Sequence, residues 1–169
     1  ALGNSNIFFP LTVERARIRA FELTVRSPML LKRGQVYLAY SRQKVEGQGA
    51  VTGGLTDFSP PADFFLLDHD QRDTLSAGFN LVFLSRSYVA GNVRYGSGFT
   101  NAGGPGHLPG HTLVDLSFSR SFGEDWSVSV QALNVANRRF LLDNSNTFGG
   151  THFADPRQIY VGLRHRFHY

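Results

Sequence analysis

The sequence predicts an all-β fold, an antiparallel meander of about seven strands of the kind that builds a transmembrane β-barrel. Three observations predict it. Apolar and small polar residues alternate with period two along most of the chain, the pattern of strands with one greasy and one polar face. The links between these segments alternate between short and long. No apolar run exceeds Val36 to Tyr40, far below the ~20 residues of a membrane-spanning helix, whereas a membrane strand needs only about 9 to 11 alternating residues.

Taken in order, the first strand is Arg17 to Arg26. Val13 to Leu23 is the one helix-like stretch, yet Val13, Ala16, Ile18 and Ala20 fit 3.6-residue spacing poorly, while Phe21, Leu23 and Val25 alternate cleanly with Glu22 and Thr24. The second is Gly34 to Gln43. In the third, Thr74 to Phe83, Leu75, Ala77, Phe79 and Leu81 oppose Thr74, Ser76, Gly78 and Asn80. Ser87 to Phe99 is the fourth. The fifth sets Val114, Leu116 and Phe118 against Asp115, Ser117 and Ser119, and the sixth sets Val128, Val130 and Ala132 against Ser127, Ser129 and Gln131. The seventh, Gln158 to Tyr169, places Ile159, Val161, Leu163, Phe167 and Tyr169 on one face and Tyr160, Gly162, Arg164, Arg166 and His168 on the other, with His165 interrupting the apolar set.

Short links stand at Ser27 to Arg33, Ser85 to Arg86 and Gly123 to Asp125; long ones run Val45 to Asp73, Ser97 to His111 and Asn137 to Arg157. Successive links fall on opposite ends of a meander, so one end carries tight turns and the other elaborate loops. A soluble sandwich has no reason to sort its loops so, but an outer-membrane barrel has short periplasmic turns and long extracellular loops. The long links are rich in Gly, Pro, Asn and Asp and are expected to be irregular. Their aromatics, Phe58, Phe64, Phe65, Phe99, Phe148 and Phe153, either pack loop on loop or meet a ligand. Tyr88, Tyr95, Phe122, Trp126, Phe167 and Tyr169 lie near strand ends, where membrane strands carry aromatic girdles.

Composition narrows the function classes. Charged residues are 18% of the chain, below the roughly 25% of soluble domains, the balance being made up by 15 Phe, 6 Tyr and 18 Gly. The absence of Cys excludes disulfides, thiolate metal sites and a cysteine nucleophile. The net charge is +4, but Lys32 and Lys44 are the only lysines and the arginines are scattered singly, so no nucleic-acid partner is expected. Ala1 opens a stretch, ALGNSNIFFP, with neither a basic segment nor an apolar one, as expected of a chain that begins inside a longer one or has lost a leader.

Leu108 to Phe140, LPGHTLVDLSFSRSFGEDWSVSVQALNVANRRF, resembles the end of the barrel in TonB-dependent outer-membrane receptors: strand, tight turn, strand, then an exit of the form Asn-hydrophobic-x-Asn. The closing RQIYVGLRHRFHY resembles that family's last strand, whose terminal aromatics, here Phe167 and Tyr169, signal assembly. ARIRAFELTVRSP, with an inward Glu22, and LLDHDQRDTLSAGF resemble strands further upstream. Such receptors have about 22 strands around a plugged lumen. Seven strands without plug or TonB-coupling box therefore imply a C-terminal segment of a large transmembrane β-barrel, residues 1–169 being wall only.

The resemblance implies an outer-membrane receptor of a Gram-negative-type bacterium that imports a scarce nutrient. Its implied partners are outer-membrane lipid, its own plug domain and remaining strands, the TonB complex through the missing parts, and the barrel-assembly machinery. Iron-siderophore, cobalamin, oligosaccharide and peptide importers share this wall, so the ligand stays open. A soluble β-sandwich binding module and a pore assembled from several chains remain alternatives.

The candidate ligand residues of the outer loops are Phe58, Phe65, Asp68, His69, His107, Asn144, Thr147 and His152. Candidate lumen or plug-facing charges are Glu22, Arg26, Arg94, Asp115, Arg164 and Arg166, because charge in a low-dielectric wall is costly unless wetted or paired. Neither GHLPGH, with His107 and His111, nor Asp68-His69-Asp70 has the spacing of a metal clamp, and no cofactor is expected. The glycines of GSGFTNAGGPG are not followed by a helix, so they form no phosphate cradle, and no nucleophile elbow is present; the chain is not expected to be an enzyme.

Overall fold

A computed structural model describes residues 11–53, 64–67, 70–84, 86–101, 106–144 and 151–167. One antiparallel sheet dominates them, in the order β1 (Leu11–Arg26), β2 (Gly34–Gly53), β4 (Asp73–Phe83), β5 (Ser87–Gly96), β6 (His111–Phe122), β7 (Trp126–Leu133) and β10 (Gln158–His165). Sequence neighbours are sheet neighbours throughout this path, as the alternating short and long links require. β3 (Phe65–Leu66) adds to β2, and β8 (Leu141–Asp143) pairs with β9 (His152–Phe153) in a separate ribbon.

Directly opposed residues of an antiparallel ladder share a face, so the register sorts the side chains. Along one row Arg26 opposes Tyr37, Tyr37 opposes Gly78, Gly78 opposes Asn92 and Asn92 opposes Asp115. The next row, shifted by one residue, runs Val25, Leu38, Ala77, Val93 and Val114. One face is therefore polar and the other apolar over the whole width.

Nothing covers the apolar face among the described residues. Phe21 is 59%, Leu163 69% and Val161 73% exposed, and Leu108 is the only buried hydrophobic side chain among the described residues. The total accessible surface of 12270 Å² far exceeds the about 8,300 Å² of a compact monomer of 18.8 kDa. A sandwich would bury this face against a second sheet. A lipid-facing wall leaves it open. β4, β5 and β6, at 11, 10 and 12 residues, match the length of membrane-crossing strands.

Where the structure departs from the sequence reading, local backbone geometry is the reason. β1 begins at Leu11 rather than Arg17 and β2 continues to Gly53 rather than stopping at Gln43, so Val45 to Gly53 is strand and not link. A register shift between Val13 and Arg15 breaks the period-two pattern there, and Gly47, Gly49 and Gly53 leave it blank on the partner strand. β5 ends at Gly96 rather than Phe99, because Gly98, at φ +100°, turns the chain. β10 ends at His165. The long links, expected to be irregular, hold β3, β8 and β9.

The short-link end is built of tight turns. At Leu30 to Arg33 the Arg33 N–H donates to Leu30 O at 2.9 Å, and Leu31 and Lys32 both have positive φ, 50° and 56°. That is the geometry of a primed hairpin turn, usually given to Asn and Gly. At the same end, on the far side of the sheet where β7 pairs β10, stands an aromatic corner: His165, which interrupts the apolar pattern, lies 4.2 Å from the Trp126 ring and 4.4 Å from the Phe167 ring, centroid to centroid.

Candidate functional site

The polar face and the long-link end together make the candidate site. On the face itself a hydrogen-bonded row ties four strands. Tyr37 Oη donates to Asn92 Oδ1 at 2.9 Å, Ser76 Oγ donates to the same oxygen at 3.1 Å, and Arg94 pairs with Asp115 at 2.8 Å. Tyr37 lies flat over Gly78, where a β-carbon would sit 2.6 Å from its hydroxyl oxygen, so the small residue is what admits the ring.

Above this row lies an open cavity of about 490 Å³, within the usual range for ligand sites, lined by Glu22, Ser41, Gln71, Arg94, His111 and Phe140 among others. The His111 ring is stacked between Phe140, 3.9 Å away and nearly parallel, and Phe99, 5.9 Å away. Gly96 opposes His111, and a β-carbon there would lie within 2.6 Å of both His111 Nε2 and the Gln71 amide. Two buried polar atoms, Gln71 Oε1 and His111 Nδ1, have no hydrogen-bond partner among the described residues. Gln71 as a whole is only 7% exposed. Unsatisfied buried polar atoms cost free energy, and they concentrate where a ligand or water completes the set.

Two polar clamps hold the loops over this cavity. Asp70, 1% exposed, accepts from the Val45 N–H at 2.8 Å, from Arg72 Nε at 3.1 Å and from His107 Nε2 at 3.0 Å. It thereby fastens two long links to β2. Asn134, 4% exposed at φ +48°, donates from Nδ2 to Arg138 O and Asp155 O at 2.8 and 2.9 Å, and its Oδ1 accepts from the Arg138 N–H at 2.8 Å. Its own N–H donates to Asp115 Oδ1 at 2.8 Å, while Asn137 Oδ1 accepts from the Arg157 N–H at 2.9 Å. The Asn-hydrophobic-x-Asn exit is therefore a clip closing both ends of the last long link.

The candidate ligand residues are distributed unevenly. His107 is committed to Asp70, whose Oδ2 it shares with Arg72 Nε. Phe65 packs on Gly47 of β2, Asn144 donates to Asn101 Oδ1 at 2.9 Å, and His152 sits exposed in β9. Phe58, Asp68, His69 and Thr147 lie outside the described residues, as does Tyr169. Glu22, Arg26, Arg94, Asp115 and Arg164 stand on polar-face rows. The Arg166 N–H caps the β6–β7 turn by donating to Asp125 O at 2.8 Å, and Phe167 is exposed. Gln71 and Phe140 were not legible as site residues, because each sits in a link and reaches the cavity only through the fold.

No protein-family model matches the chain, and no curated protein does. In fold, the chain is similar to the ferric-catecholate import receptor Fiu of E. coli K12. Its open form matches at 13% identity and TM-score 0.56, its closed form at 12% and 0.56, each over 90% of this chain. The match is to a segment of that receptor's barrel and extends over most of this chain. The chain spans about a quarter of the neighbours' length, 26% of the open form and 28% of the closed form.

Proposed function

We propose that this segment is part of the wall of a TonB-dependent outer-membrane receptor that imports a scarce nutrient, its polar face turned to the lumen and its long links to the exterior. The observation that carries the reading is the uncovered apolar face on a meander whose links are sorted by length, which only a bilayer on one side and a lumen on the other satisfy together. The likeness to an import receptor supports it.

In this reading the segment contributes wall strands, loops and a closing strand with its aromatic Phe167. The plug, the remaining strands and the TonB complex complete the machine. Arg94, Asp115 and Glu22 face the lumen, where a plug or passing solute meets them. His111, stacked on Phe140, and the unsatisfied amide of Gln71 form the ligand contact at the mouth, with the loops clipped by Asp70 and Asn134. The aromatic plates supply contact area, and Gln71 Oε1 and His111 Nδ1 supply direction.

The test is energised uptake by the full-length parent receptor in cells with and without TonB. Uptake that is lost without TonB, and binding weakened about tenfold by Gln71→Ala with His111→Ala in normally assembled receptor, is the expected outcome, about 1.4 kcal/mol for the two contacts. Uptake independent of TonB refutes the transporter reading. Unchanged binding in the double variant removes the cavity from the ligand path.

A further inference from the structure

The arginines that look scattered in the sequence converge in the fold. The β1–β2 ladder sets Arg19 opposite Lys44, Arg17 opposite Glu46 and Phe21 opposite Arg42. Arg72 is brought alongside by the bond from the Gln43 N–H to Arg72 O at 2.8 Å. Arg19, Phe21, Arg42, Gln43, Lys44 and Arg72 line one cleft of about 260 Å³.

The place of this cleft matters. Phe21 and Tyr40, whose ring centroids are 6.4 Å apart, close the apolar face at its long-link end, and the cations begin on the next row. Arg19, Arg42 and Lys44 share the parity of Phe21 and Leu23, so they stand on the lipid side of the wall and not on the lumen side. In a bilayer that height is the headgroup layer.

Charge there is not balanced. Five cations, Arg17, Arg19, Arg42, Lys44 and Arg72, face three carboxylates: Glu46 takes both Arg17 and Lys44, Asp73 takes Arg42 at 3.4 Å, and Asp70 takes Arg72. Asp70 is shared with His107 and Asp73 with the Tyr40 hydroxyl. Arg19 is exposed and has no ion-pair partner among the described residues. Arg17 Nε is buried without an acceptor among the described residues.

We infer that this basic cleft binds the phosphate group of a lipid headgroup in the outer leaflet, with Arg19 and Lys44 as its principal contacts. The inference rests on the membrane reading above. Guanidinium and ammonium groups complement a phosphate dianion, and an acyl chain of the same lipid lies against Phe21 and Leu23 directly below. The surplus of positive charge over carboxylate is what a phosphate would neutralise.

The experiment uses the full-length parent receptor in nanodiscs of phosphatidylcholine with a minor fraction of phosphatidic acid, reading bound phosphatidic acid per receptor by native mass spectrometry. Each cation removed near a membrane surface weakens attraction of an anionic headgroup about fivefold, so Arg19→Gln with Lys44→Gln lowers apparent affinity about 25-fold to 30-fold. Arg120→Gln, on the same face at the opposite end of the wall and stacked on Phe122, leaves it unchanged. If the double variant fails to assemble, Arg19→Gln alone, which breaks no ion pair, still lowers it about fivefold.

Equal retention by wild type and variants overturns the inference, as does equal loss in Arg120→Gln, which reduces the effect to net charge. Displacement by millimolar inorganic phosphate assigns the cleft to a free anion instead and also overturns it. A receptor that does not enter nanodiscs at all refutes the membrane reading itself, a different outcome from insertion without lipid selectivity.

Discussion

Replacing Asn134 is the sharpest probe of how the loops are held. Its side chain makes three hydrogen bonds, two from Nδ2 and one at Oδ1, and it sits at φ +48°, where residues other than Gly, Asn and Asp are strained. Asn134→Ala removes all three bonds, each worth about 1 kcal/mol net, and adds roughly 1 kcal/mol of left-handed backbone strain, for a local loss of about 4 kcal/mol. Asn134→Gly loses the bonds without the strain, so it should cost about 1 kcal/mol less. The bonded partners lie in residues 134–157, so the loss falls on this link and leaves the ladder of β6, β7 and β10 intact. Hydrogen exchange on the assembled full-length protein reads it directly: the amides of Arg138 and Arg157 should exchange about a thousandfold faster in Asn134→Ala, the conversion of about 4 kcal/mol. Wild-type protection at Arg138, or equal acceleration in the strands, refutes the reasoning.

Three further outcomes follow from the same geometry. Gly78→Ala pushes a methyl to within 2.6 Å of the Tyr37 hydroxyl and 2.5 Å of Gly91 O, so it should destabilise the wall by about 1–3 kcal/mol, read as a lower unfolding temperature of the assembled barrel. Leu31→Asn with Lys32→Gly relieves positive φ at two exposed turn residues and should stabilise the first hairpin by about 1–2 kcal/mol, measured by denaturant unfolding; no change would mean the turn is unstrained. In the part of the β1–β2 hairpin above the apolar band, Lys44 first and Arg17 second hold the Glu46 carboxyl below its ordinary value of 4.5. A depressed carboxylate stabilises the fold above its unfolded value and loses that contribution as pH falls through its folded value, so proteolysis of this hairpin should accelerate only below pH 4.5, and Glu46→Gln should abolish the step.

The positions and faces of the sheet's strands were legible because a sheet with one apolar and one polar face demands strict alternation, which periodicity alone can carry. Leu75 to Leu81, Val114 to Phe118 and Ile159 to Leu163 each declared their face, and link lengths declared the meander. The β1–β2 extension over Leu11 to Arg17 and Val45 to Gly53 was hidden because a bulge and three glycines erase the period there while the backbone ladder continues.

The sequence by itself thus determined the class of wall, the ends at which turns and loops lie, and the Asn134 to Asn137 exit. Those features depend on neighbours along the chain and on solvent polarity, which each strand meets independently. Only the tertiary structure decided that Asp70 meets both Arg72 and His107, that Gln71, His111 and Phe140 share a cavity, and that Arg19, Arg42, Lys44 and Arg72 form one cleft. These are juxtapositions across registers and loop crossings, where a shift of a single residue in one ladder moves a side chain to the opposite face and dissolves the site.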